Sequence, residues 1–230
     1  MRRLKKFPVE GLSVTRATFS AHIVFNPFAQ IPPALWYTFG LDLAPIDLGK
    51  QAVDPVEYEQ ILETDIELGG IELPFRRWNE IEGEFGPIPD QGASSIYVSC
   101  VHNPIDIRSL KMHRIRSNRW QINTDIMIDF ENAQAGYRNV EASLSFRASF
   151  GGISFYIPSW TSKPKFPSRW KIPSVFNQRT VDALVARFVD LDVYRKERDG
   201  DAFGYLPVSP ATQQGVAGRR PRGLRSRGRS

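Results

Sequence analysis

The chain has one cysteine, Cys100, among 230 residues, which excludes an internal disulfide and suits a reducing compartment. Its three histidines, His22, His102 and His113, are scattered, and a single thiol cannot supply a Cys-based zinc site. No apolar run approaches the roughly 20 residues that a membrane-spanning helix needs. The basic start MRRLKK is not followed by the uninterrupted apolar segment of a secretory signal, so an unexported, cytoplasmic protein of a bacterial cell is expected. Also missing are a Gly-x-Ser-x-Gly elbow, a phosphate-cradling glycine loop and a His-Glu-x-x-His pair. No catalytic residue, cofactor or metal site is therefore expected.

Charge is present but unevenly placed. The formal net charge is +5, yet residues 1–10 hold four bases against Glu10 and residues 219–229 hold six arginines, so the body between the two ends is acidic. Residues 42–90 carry thirteen acids against Lys50, Arg76 and Arg77, whereas residues 142–181 carry six bases and no acid. Two oppositely charged segments on one chain invite contact with each other or with partners of opposite sign.

The clearest pattern is a meander over residues 118–157. Trp120, Ile122, Thr124, Ile126, Ile128 and Phe130, then Val140, Ala142, Leu144, Phe146, Ala148 and Phe150, alternate with polar residues, the period of strands with one dry face. Gly151-Gly152 followed by Ile153, Phe155 and Ile157 reads as a two-residue hairpin turn, because glycine takes positive φ cheaply. That register sets Phe150 opposite Ile153, Ala148 opposite Phe155 and Phe146 opposite Ile157.

Elsewhere, Phe19, Ala21, Ile23 and Phe25 predict a strand ending at Asn26-Pro27, and Ile96, Val98 and Cys100 another ending at Asn103-Pro104. The apolar parity changes between Ile107 and Leu110, as a β-bulge requires. Pro32-Pro33 is read as opening a short helix through Phe39. Asp54-Pro55-Val56-Glu57 predicts a capped helix start, with Glu57, Glu59 and Glu63 on its wet face. A C-terminal helix capped by Asn177 is expected over about 178–198, closing at Gly200.

The expected fold class is thus α+β, a mainly antiparallel sheet packed by the C-terminal helix and one or two N-terminal helices. Residues 1–10 read as a flexible basic arm, 11–204 as a single domain with 11–90 and 94–204 as alternative lobes, and 205–230 as a disordered arginine-rich tail.

Three constellations merit weighing. Cys100 and His102 share a strand face, as a thiol nucleophile and its base would, or as core neighbours of Ile96 and Val98 would. Asp129 is expected opposite Glu141, an acid pair or two charges on a wet sheet face. Trp160, Lys163, Lys165, Arg169, Trp170 and Lys171 interleave rings with cations, which suits a single nucleic-acid strand or a crossover pinned to the sheet by its aromatics. With Glu57, Glu59 and Glu63 these residues form the candidate surface. The expected function is that of a non-catalytic binding protein acting through a protein-protein surface, on the immunity-type logic of neutralising a basic partner. The alternative is nucleic-acid binding through residues 160–171 and the arginine tail.

Overall fold

The computed structural model describes residues 4–53, 56–62, 65–89, 92–98, 101–132, 136–158 and 166–208, with backbone alone over 49–62. The strands in chain order are β1 (Val14–Asn26), β2 (Ile31–Leu43), β3 (Ile46–Val53), β4 (Val56–Leu62), β5 (Asp65–Ile71), β6 (Gly83–Phe85), β7 (Ser95–Val98), β8 (Val101–Arg116), β9 (Arg119–Ile128), β10 (Val140–Ala148) and β11 (Phe150–Tyr156). A helix, α1 (Gln178–Val185), precedes β12 (Tyr194–Asp199) and β13 (Ala202–Pro207).

The main sheet runs β10-β9-β8-β7-β5-β2-β1-β11-β13-β12, with β6 added to β8. Only Ser149 separates β10, at one end of that order, from β11, which lies beside β1. The order therefore curls back on itself like a barrel, and β8 and β10/β11 are the long strands that pass from one layer to the other. Rings meet across the interior: Phe19 of β1 is edge-on to Trp120 of β9 at 5.8 Å, and Phe39 of β2 to Phe146 of β10 at 5.8 Å.

The dry face of the meander is as its alternation requires, with Trp120, Ile122, Ile126, Ile128, Phe130, Leu144, Phe146 and Phe150 all buried. The bulge in β8 falls where the parity changes, between Ile107 and Ser109. The strand expected through Ile96 and Val98 to Asn103-Pro104 is two antiparallel strands, β7 ending at Val98 and β8 starting at Val101, and Asn103-Pro104 lies inside β8. Pro104 sits where β8 exchanges partner β7 for β9, and the buried Asn103 amide donates to the carbonyls of Ile96, Val98 and Val101.

The hairpin expected at Gly151-Gly152 is absent. Phe150 pairs in parallel with Phe19 and Ile153 with Ala21, so Ser20 alone opposes Gly151 and Gly152, and the glycines form a bulge. β11 then pairs antiparallel with β13, Ile153 opposite Tyr205. Gly152 has φ 111°, and a Cβ there would stand 2.5 Å from the Tyr205 carbonyl oxygen. Glycine is required at that position by close backbone approach.

Both expected N-terminal helices are strands. Leu35, Tyr37, Phe39, Leu41 and Leu43 are buried at every second position of β2, and Pro32-Pro33 lies at the strand's start, where proline is tolerated. β3 and β4 pair from Ile46 opposite Leu62 to Val53 opposite Val56, so the helix expected after Glu57 is the strand β4, while Asp54 and Pro55 of its cap lie outside the described residues. The C-terminal helix forms with its expected Asn177 cap, the Asn177 side chain accepting from the Thr180 N–H, and buries Val181, Leu184 and Val185. It stops far short of residue 198. Residues 194–199 instead make the sheet edge β12, whose charged residues after Tyr194 discourage further pairing, and Gly200 (φ 55°) turns into β13.

Described parts of the expected arm and tail belong to the fold. Lys5 bridges Tyr137 in parallel, and Phe7, fully buried, packs on Phe130 at 4.7 Å and Tyr137 at 5.4 Å. At the other end Tyr205 is buried and β13 continues to Pro207, while residues 209–230 lie outside the described residues. Ladders β1/β11 and β5/β7 join the segments on either side of the loop at 79–93.

Candidate interaction surface

Among the described residues no group of three or more His, Cys, Asp or Glu is placed to hold a metal ion. Cys100 lies outside the described residues. His102 meets Ser95 Oγ at 3.3 Å and the Tyr97 ring at 5.1 Å. The expected acid pair is not formed. Glu141 stands opposite Met127, and Asp129 accepts from the Asn132 backbone N–H in a turn, because Val140 pairs with Ile128 instead of Phe130. Asp125, on the wet face of β9, accepts from Ser143 (2.6 Å) and Ser109 (2.7 Å). Those hydrogen bonds, with the nearby Lys111 charge, hold its carboxyl below the usual range. They make a cross-strand polar ladder beside a pocket of about 320 Å³.

A string the sequence did not suggest links His22 to Ser154 (2.6 Å) and Ser20 (3.3 Å). Burial lowers the His22 pKa, so the ring is a neutral tie between β1 and β11. A second network fastens α1 to the sheet. Asp182 accepts from Tyr205 Oη (2.8 Å), Gln178 Nε2 (2.8 Å) and Lys196 Nζ (2.7 Å). Burial alone would raise the Asp182 pKa, but these donors and the Lys196 charge outweigh it and hold the carboxyl below its usual 3.8. A carboxyl lowered on folding contributes stability that is complete above its unfolded pKa and is lost as pH falls through the native one. Asp182→Asn should accordingly flatten the acid limb of stability below pH 3.8, read as urea midpoints across a pH series. An acid limb as steep as the parent's would show that Asp182 does not contribute to it.

The candidate aromatic and basic segment is only partly described, since Trp160, Lys163 and Lys165 lie outside the described residues. Trp170 is 4% exposed, packs on Phe166, and its carbonyl accepts from Arg187 Nη1 at 2.7 Å. Its ring is therefore buried beside Phe166 and offers no exposed platform for a base. Arg169 and Lys171 remain exposed beside it. Together with Gln30, Pro32, Pro33 and Arg187, Arg169 and Trp170 line a cleft of about 430 Å³ at the Ile31 end of β2. Arg187 and the two prolines were not legible as site residues, because they are far apart in the chain. Phe28 (69% exposed) follows Asn26-Pro27 in the turn beside this cleft, and Val175 (62% exposed) adjoins Phe176, which stacks on Phe25 of β1.

The acidic candidates belong to a separate element at the opposite end of β2. Past Leu43, β3 and β4 form a two-stranded ribbon whose strands, among the described residues, pair only with each other. Its base is docked, with Ile46 and Leu48 buried and Ile46 close against Gly11. Glu57 and Glu59 occupy alternate positions of β4, opposite Ala52 and Lys50 of β3, and Glu63 lies outside the described residues.

The fold and this surface define a β-rich chain of barrel-like topology bearing a two-stranded ribbon and a basic cleft. The chain matches no family model, no curated protein and no solved structure. No helix among the described residues is long and apolar enough to cross a membrane.

Proposed function

We propose that this chain is a non-catalytic binding protein acting through a protein-protein surface, with the β3–β4 ribbon as its contact element. The observation that supports this reading is the pairing of β3 and β4 with each other alone, which leaves both outer edges open among the described residues. A two-stranded ribbon is marginal in water by itself, and an open edge is a template for another chain. Five acids against Lys50 over residues 44–64 select a basic partner, in the manner of immunity-type neutralisation. Nucleic-acid binding is the weaker reading. With Trp170 buried it rests on Arg169 and Lys171, on Trp160, Lys163 and Lys165 outside the described residues, and on the arginines beyond residue 218.

Photo-crosslinking in the host cell tests the proposal. A benzoylphenylalanine at Tyr58 or Gln60 should yield a discrete protein adduct, and the same probe at Ser145, exposed on β10, should yield none. Equal labelling at the two places, or none at the ribbon, would remove the support for this reading.

A further inference from the structure

Resting on the ribbon as contact element, we propose that its partner is a second copy of this chain, whose basic cleft receives it head to tail. Cleft and ribbon lie at opposite ends of one strand. From Pro33, which lines the cleft, to Leu43, where the ribbon begins, is ten residues, or about 33 Å at ~3.3 Å per residue. The ribbon thus starts at the end of β2 remote from the surface whose charge complements it.

That complementarity is specific. Arg169 and Arg187 line the cleft and Lys171 adjoins it next to Trp170; all three are exposed, and none has a carboxylate within 4.0 Å among the described residues. The sole acid in the segment 166–187 is Asp182, already engaged by Lys196, Gln178 and Tyr205. Repulsion among these cations in one copy is relieved by the ribbon acids of the next. Exposed Phe28 and Val175 at the same end supply apolar area for a contact that excludes water. Two different surfaces that fit each other make a heterologous contact, which repeats into a ring or a filament.

The test uses full-length protein in sedimentation velocity over a range of concentration and salt. Species larger than the monomer are expected at low salt and should dissociate as salt rises. Glu57→Gln with Glu59→Gln, and separately Arg169→Gln with Lys171→Gln, should each weaken assembly about tenfold or more while thermal midpoints hold. Mixing the two variants should give a discrete dimer, because one intact ribbon then meets one intact cleft and growth stops. A monomer under all conditions would overturn the inference, as would assembly indifferent to the cleft pair or a mixture that does not pair. Nuclease-sensitive large species would assign the cleft to a nucleic-acid strand and overturn it as well. A monomer whose ribbon crosslinks to a different protein would sink the self-assembly and leave the binding reading standing.

Discussion

Trp120→Ala should lower the unfolding free energy by about 4 kcal/mol, the largest effect expected of a single truncation here. The side chain is fully buried, its Nε1–H donates to the Ile81 carbonyl at 2.6 Å, and its ring is edge-on to Trp78 at 6.3 Å and Phe19 at 5.8 Å. It therefore touches β1 across the interior and, through Ile81 and Trp78, the segment after β5. Alanine removes the ring, opens a cavity and leaves a buried carbonyl without its donor, each a separate cost. For a chain of this size the loss corresponds to a fall in Tm of roughly 10 °C. Trp120→Phe keeps most of the packing and should cost about half as much. Chemical denaturation of both variants checks the order, and a cost for alanine near 1 kcal/mol would mean that β1 and β9 do not pack face to face.

The second large effect separates a bulge from a turn. Gly152→Val should destabilise by about 3 kcal/mol or more, since an L residue at φ 111° is strained and its Cβ would overlap the Tyr205 carbonyl at 2.5 Å. Gly151→Ala should cost much less, because its φ is not positive and a Cβ there would meet only the Phe19 carbonyl at 3.4 Å. In a two-residue hairpin the order differs. A type I′ turn needs positive φ at both positions and a type II′ turn at the first. Thermal unfolding of the two variants therefore decides between them. A penalty at Gly151 equal to or above that at Gly152 would rule out the bulge.

Much of the wet surface was legible because charge is additive along a sequence. The acid-free stretch that holds Arg169 and Lys171 stands out without any fold. The rest of the cleft was not, because Gln30, Pro32 and Arg187 come together only when β2 and the residues after α1 meet. The ribbon was misread for a local reason. Asp-Pro-Val-Glu fits a helix start by local composition, and only the pairing of Val56 and the residues after it with β3 makes them a strand.

Gly151-Gly152 marks the limit most clearly. By itself the sequence determined that Phe146, Ala148, Phe150, Ile153 and Phe155 share the buried side, since alternation follows from the pleat of any strand. Either a two-residue turn or one extra residue in a bulge carries Phe150 and Ile153 to the same side, so no pattern of apolar residues distinguishes them. Tertiary structure decided the matter. β1 and β13 provide the hydrogen-bonding edges that β11 uses, and those strands lie 131 residues before Phe150 and 52 residues after Ile153 at the paired positions Phe19 and Tyr205. Which backbone satisfies an N–H is settled by what the folded chain places beside it.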